Sequence, residues 1–463
     1  MPLIVADTAP VMVQLGLKYL AIILFVIFAG YVRHLVTIYV QDPYIDEIFH
    51  LRQCQKYLDY KFYEWDDKIT TPPGLYLLGF IYSKVIEILS FKQLNNNYEI
   101  LRSLNLVGGL FILPIIVRTF KKSFDNQLWT INLISQPLLF TYYFLFYTDV
   151  WSTILILGSL SLVINKPHTI GKVYLSALLV FFSLWFRQTN IVWSAFIVSV
   201  LIDRSILLKR NEHINSITRI IKFIIQTIKD WIKIIPFIIN FVLFIIFIKI
   251  NGGITFGDKE NHEVNFHVVQ VFYCFVFTIF FTWPVWLSSR IIIKYIKFLI
   301  INNYGLNIVF NALALYIIKY IIDNFTVIHP FLLADNRHYT FYIFKRLISH
   351  KYSQFITIPL YHFSSFIIVT ALLESKRIKL SFITIISYFI AILLTIVPSP
   401  LFEPRYYILP VIIFRLFISP GSRQRHFREF LWLNTINIIT AYIFFTYEFT
   451  WASEPGIIQR IIW

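Results

Sequence analysis

The sequence predicts an all-α polytopic membrane protein, on three observations. Hydrophobic residues make up 57% of the 463 positions and charged residues only 14%, against roughly 25% charged in soluble domains. Apolar segments of about 18 to 20 residues recur from end to end, the length an α-helix needs to cross a hydrocarbon core of about 30 Å. No stretch reads as a separate soluble domain, so residues 1–463 are taken as one membrane-embedded unit.

The first apolar run, about Leu15 to Ile38, lacks a basic n-region and a small-residue cleavage pattern. It reads as a retained span rather than a signal peptide. Residues 39–103 then form a long loop. Within it, Thr70-Thr71-Pro72-Pro73-Gly74 reads as a turn feeding a helix, with Thr71 as cap and Pro72 at the first position. Leu75 to Phe91 carries Lys84 and Glu87, so it either spans or lies flat as an amphipathic interfacial helix. Later spans are expected near 104–118, 128–147, 150–165, 173–187, 190–203, 234–250, 266–287, 305–323, 354–373, 380–398, 406–419 and 429–448.

The positive-inside rule decides between the two placements of Leu75 to Phe91. With that segment in the interface, one side collects Arg118, Lys121 and Lys122; Lys166 and Lys172; Arg290, Lys294 and Lys297. It also collects Lys376, Arg377 and Lys379; Arg423, Arg425 and Arg428; and the basic stretch 204–233, which becomes a cytoplasmic loop. Only Lys345, Arg346 and Lys351 fall on the wrong side, which a short re-entrant or extra helix near Tyr339 to Leu347 would repair. The net charge of +16 is explained by this orientation rather than by nucleic acid.

The loops on the opposite side hold the polar chemistry. Asp42 followed by Pro43 reads as an N-cap and first helical position, placing Asp46 and Glu47 near a helix start, where the dipole favours the ionised acids. Asp46 and His50 would share a face. An ionised carboxylate at the membrane surface can take a proton from a sugar hydroxyl; the plainer alternative is that both acids cap a helix and solvate a loop. Arg187, Lys259, Arg337 and Arg405 sit at span ends, with His262 and His338 beside them. Such donors suit a phosphate leaving group, although snorkelling, or pairing with Glu403 and Asp335, explains them equally well. Asp149 is open to three roles: pairing with a cation, binding a metal or holding an acceptor. His262 and His267 lack metal-ligand spacing, and Cys54 and Cys274 offer neither a disulfide framework nor a metal site.

The run Pro43-Tyr44-Ile45-Asp46-Glu47-Ile48-Phe49-His50, followed by Trp65-Asp66 and Lys68 through Tyr76, resembles the signature of the dolichyl-phosphate-glucose α-1,2-glucosyltransferases of the endoplasmic reticulum. Tyr147-Thr148-Asp149, Arg187-Gln188-Thr189-Asn190-Ile191-Val192-Trp193, Gly257-Asp258 with His262, Leu332 through Tyr342, and Glu403 with Arg405-Tyr406 extend the resemblance in order along the chain.

The resemblance implies a GT-C type transmembrane bundle of roughly 12 to 14 spans, whose first luminal loop, 39–103, carries membrane-parallel helices. It implies an inverting transfer of the terminal α-1,2-linked glucose from dolichyl-phosphate-glucose to the diglucosylated, mannose-rich dolichyl-diphosphate-linked oligosaccharide precursor of N-glycosylation. The site would face the lumen of the endoplasmic reticulum. Asp46 is then the expected base and Glu47 the second choice. Arg405, Arg337, His338 and Lys259 become candidates for the donor phosphate. His50, Asp149, Arg187, Gln188, Asp258, His262, Asp335, Glu403 and Tyr406 become acceptor-binding or site-shaping residues. Some GT-C enzymes use a divalent metal, and this chain has no dedicated cluster, so metal dependence stays open and no metal ligand is assigned. Two rivals are another GT-C dolichyl-phosphate-sugar transferase and a polytopic transporter. A transporter would put its polar groups near the midplane on broken helices, against the one-sided pattern seen here.

Overall fold

The computed structural model describes residues 11–91, 98–122, 125, 128–165, 167–206, 216–300, 305–375, 377–378, 380–418 and 422–463. Lys166, Lys376 and Lys379, invoked above for orientation, lie outside them. The described chain is mostly helical, and its two strands form one antiparallel hairpin, Phe449–Trp451 with Glu454–Gln459.

Five helices among the described residues are long and apolar enough to cross a membrane: Tyr19–Tyr39, Tyr98–Thr119, Trp231–Asn251, Leu306–Asn324 and Ser353–Leu373. Shorter apolar helices are Asp149–Ile164, Ile170–Leu184, Gln270–Trp286 and Phe382–Ile396. Outward faces stay apolar: in Trp231–Asn251 only Ile234, Phe237 and Asn240 are buried, while Ile238, Phe241, Val242 and Ile246 are exposed. Exposed apolar surface on this scale marks a protein solvated by lipid. Small polar residues let the inner helices close up, as where the Ser159 and Ser176 hydroxyls meet at 2.7 Å.

Several boundaries differ from those read in the sequence, each for a local reason. The expected span 128–147 is three short pieces, Trp129–Ile134, Pro137–Phe140 and the 3₁₀ turn Thr141–Tyr143. Pro137 cannot continue the first piece, and the Gln136 side chain caps the second by accepting from the Leu139 amide at 3.1 Å. This folded-in segment is largely buried and delivers Tyr142 and Tyr147 to the interior. The helix expected at Pro43 begins at Glu47, because Ile45 takes a left-handed φ of 52° that interrupts any earlier turn. The helix expected at Pro72 begins at Gly74 with Pro73 as its N-cap. Tyr98–Thr119 contains a π-turn at Gly108–Ile112, where the Tyr143 ring presses on Gly109.

The basic stretch is not a plain loop. Residues 207–215 lie outside the described set, but Ser216–Lys229 is an amphipathic helix with Arg219 paired to Asp203 at 2.5 Å. A short helix, Tyr339–Ile343, continued by the π-turn Phe344–Ile348, stands where one was considered.

Candidate active site

Glu47 and Asp46 are adjacent in the chain and oppositely placed. The Glu47 side chain is 0% exposed. Its two oxygens receive Arg102 Nε at 2.9 Å and Nη2 at 2.7 Å, together with the amides of Phe146 at 2.8 Å and Tyr44 at 3.1 Å. Arg102, also fully buried, donates onward to the carbonyls of Val40 at 2.6 Å and Asp42 at 3.0 Å. Four donors saturate Glu47, and a buried ion pair of this kind is tolerated only with such complete hydrogen bonding. The knot ties the loop to Tyr98–Val107 and leaves Asp46 pointing outward, its side chain 39% exposed. The left-handed Ile45 between Tyr44 and Asp46 is a strained, β-branched position, of the sort that surrounding structure must hold in place.

Asp46 Oδ2 accepts from Arg405 Nη1 at 2.8 Å, and Arg405 Nε donates to Glu403. The Asp46 amide donates to the Tyr147 hydroxyl at 3.1 Å, which itself donates to the Tyr44 carbonyl at 3.3 Å. Burial alone would raise the Asp46 and Glu403 carboxyls; Arg405 outweighs it and holds both below the usual range. The same two acids hold the Arg405 guanidinium firmly charged against its burial. His50, hydrogen-bonded through Nδ1 to the Tyr76 hydroxyl at 2.8 Å, is pushed down to about 4 by burial, against the pull of Asp46, so its ring is neutral near pH 7.

Two cavities meet at Arg405. The larger, about 780 Å³, holds Asp46, Glu403, Asp335, Arg337 and His338 among aromatic walls that include Tyr142, Tyr147 and Trp451. The smaller, about 250 Å³, holds Asp149, Arg187, Gln188, His262 and Tyr406. Arg187 pairs with Asp149 at 2.7 Å and lies over the Tyr406 ring at 5.5 Å. An apolar pocket of about 360 Å³, lined by Pro72, Trp185, Leu243, Phe247 and Phe256, shares Gln188 and Phe244 with the smaller cavity.

Residues 40–416 match the model of the DIE2/ALG10 family. The chain belongs to that family. It is 53% identical over 456 residues to a Debaryomyces hansenii protein named Dol-P-Glc:Glc(2)Man(9)GlcNAc(2)-PP-Dol alpha-1,2-glucosyltransferase, covering 95% of this chain and 98% of the relative. Relatives with the same name are 51% identical in Candida albicans, over 97% and 100% of the two chains, and 32% identical in Homo sapiens, over 91% and 93%. No solved structure matches significantly.

In this DIE2/ALG10 chain the candidate residues fall into groups. Asp46, Glu403 and Arg405 form one contiguous cluster, and Asp335, Arg337 and His338 face the same cavity. Arg337 is held by Asp335 through Nε at 2.9 Å and Nη2 at 2.7 Å, with His338 at 3.7 Å from the same acid. Asp149, Arg187, Gln188, His262 and Tyr406 gather in the second cavity. Asp258 meets His262 at 3.3 Å and itself lines neither cavity. Lys259 lines neither cavity; its ammonium donates to the Asn251 carbonyl. Among the described residues no three His, Cys, Asp or Glu side chains gather as a metal-holding group, and Cys54 and Cys274 are buried and form no disulfide.

Sequence reasoning missed Arg102, the partner of Glu47, because a lone arginine in an apolar helix gives no sign of which acid it meets. It also missed the terminal hairpin, whose turn at Ala452-Ser453 carries no Gly, Pro or Asn, while Pro455-Gly456 falls inside the second strand.

Proposed function

We propose that Asp46 is the base of a glucosyl transfer carried out where the two cavities meet at Arg405. The chain is a Dol-P-Glc-dependent α-1,2-glucosyltransferase that acts on the Glc(2)Man(9)GlcNAc(2)-PP-Dol precursor. The observation that carries the assignment of roles is the contrast between Glu47, saturated and sealed, and Asp46, half-exposed in the larger cavity with Arg405 as its neighbour.

In this reading the donor enters from the side of the smaller cavity. Its isoprenoid chain occupies the apolar pocket beside Phe247 and Phe256, and its phosphate lies between Arg187 and Arg405. The acceptor occupies the larger cavity, its 2-hydroxyl at Asp46. The hydroxyl oxygen attacks the anomeric carbon as its proton passes to Asp46. The bond from that carbon to the phosphate oxygen breaks on the opposite face, so a β-linked donor gives an α product. Dolichyl phosphate is a good enough leaving group to need no general acid, and guanidinium charge stabilises its growing negative charge. A phosphate drawing on Arg405 weakens the pairing that depresses Asp46, making the carboxylate a better base when donor is present, while Glu403 keeps the guanidinium in position.

The surrounding architecture is read in the same way. The bundle is of the GT-C type with roughly 12 to 14 spans, 39–103 is the first luminal loop with Gly74–Ser90 lying along the interface, and 204–233 is cytoplasmic. The cavities open to the lumen of the endoplasmic reticulum. The test is glucose transfer by the purified full chain from dolichyl-phosphate-glucose to the defined diglucosylated acceptor. Asp46→Asn should lower the rate by about 10²- to 10⁴-fold while the protein still accumulates and binds donor. Wild-type-like activity would sink the assignment.

A further inference from the structure

We propose that the terminal hairpin, Phe449–Trp451 with Glu454–Gln459, is the acceptor-facing wall of the reaction cavity, and that Trp451 is the surface on which the acceptor's outermost glucose ring stacks. The inference rests on the transfer reaction proposed above and adds the residue that selects the acceptor's end. Trp451, Ala452 and Ser453 at the hairpin tip line the same cavity as Asp46 and Arg405.

The wall is built in, not draped on. Tyr44, two residues before the proposed base, accepts the Arg460 amide at 3.0 Å and donates to the Arg460 carbonyl. The Arg460 guanidinium, almost fully buried, reaches the Phe444 carbonyl at 3.0 Å and Glu448 at 2.6 Å. Ile462 pairs with the loop that carries Arg337, its amide donating to the Arg337 carbonyl at 2.7 Å and its carbonyl accepting from Tyr339 at 3.0 Å. One set of tethers therefore fixes the hairpin to both sides of the cavity.

Trp451 is held for contact. Its indole Nε1 donates to Asn336 Oδ1 at 2.7 Å, and the Arg337 guanidinium carbon lies 4.5 Å from its ring centroid. These two contacts fix the ring plane, and the residue remains partly exposed where it lines the cavity. Trp463, by contrast, is packed against Tyr339 at 4.5 Å and against Phe281 at 5.9 Å. The face of an indole is electron-rich; Arg337 covers one face, and a pyranose ring offers the other a row of weakly positive C–H bonds. The carboxylates of Asp335 and Glu403 around it can accept from sugar hydroxyls, completing an apolar floor with a polar rim.

The experiment compares wild type, Trp451→Ala and Trp451→Phe in the full chain, measuring KM for donor and acceptor separately, kcat and the thermal midpoint. Trp451→Ala should raise the acceptor KM about tenfold and leave donor KM and kcat within about twofold. Trp451→Phe, which keeps an aromatic face, should recover most of the loss. An unchanged acceptor KM, an equal rise for donor and acceptor, or a fall in thermal midpoint that accounts for the loss in both variants would overturn the inference. Wild-type protein that transfers no glucose at all would overturn the functional reading, and this inference with it.

Discussion

Glu47 and Asp46 show how one peptide bond separates a sealed acid from an open one, the acid proposed here as the base. Glu47→Gln leaves buried Arg102 with only the longer contact to part-exposed Glu99 at 3.7 Å, and breaking a buried pair in this way typically costs about 3 to 5 kcal/mol. We expect it to lower the yield and thermal midpoint of the protein, whereas Asp46→Asn lowers turnover with little change in midpoint; midpoints measured in detergent separate the two. Arg405→Ala should raise the donor KM more than the acceptor KM, and equal effects would make Arg405 a structural residue. Arg405 also sets the acid sensitivity of the site. Because it holds Asp46 and Glu403 below their ordinary range, their contribution to stability is present above about pH 4 and is lost as pH falls through the depressed values. In Arg405→Gln the two acids lose the guanidinium they share, so the acid limb of a midpoint-against-pH curve should move to higher pH.

The loop 252–262 reaches the site because it pairs with the loop after Trp65. The amide of Phe256 donates to the Thr70 carbonyl at 3.1 Å and that of Asp258 to the Asp67 carbonyl at 2.8 Å. Gly257 lies between them, and a Cβ there would sit 2.1 Å from the Asp67 carbonyl oxygen. Gly257→Ala should therefore lift this loop and its His262 away from the smaller cavity, raising the donor KM and exposing the loop to limited proteolysis. Overpacking of this kind costs about 1 to 3 kcal/mol, so the rest of the fold should survive, and an unchanged proteolysis pattern would count against the argument. The broken segment after Trp129 makes a related point. A continuous helix there could not turn Tyr147 back beneath Asp46, and the π-turn at Gly108–Ile112 accommodates the Tyr143 ring that this fold requires.

Orientation is a property of the whole molecule and has its own test. A protease site or tag placed in Ser216–Lys229 should be reached from the cytosolic side of intact vesicles, and one in the hairpin tip at Ala452 only after the vesicles are opened; the reverse pattern would invert the proposed topology. The membrane class and most helix positions were legible in the sequence, since hydrocarbon solvates any sufficiently long apolar run and the run is local. The helices Asp149–Ile164, Trp231–Asn251 and Ser353–Leu373 stand close to where hydropathy placed them. A start set by an unexpected left-handed residue was not legible, as with the shift from Pro43 to Glu47 at Ile45. Charge bookkeeping assigned the candidate polar residues to one side, because each span flips the side of the next loop, and the structure brings most of them to two cavities. Pairings were beyond reach: Glu47 with Arg102 and Asp46 with Arg405 join positions 55 and 359 residues apart, and no periodicity encodes that contact. Local pattern thus set the class, the helices and the cast of acids and cations. Long-range packing settled which acid is sealed and which is open, and it made the last residues of the chain a wall of the cavity, because burial and ion pairing depend on neighbours brought from far along the chain.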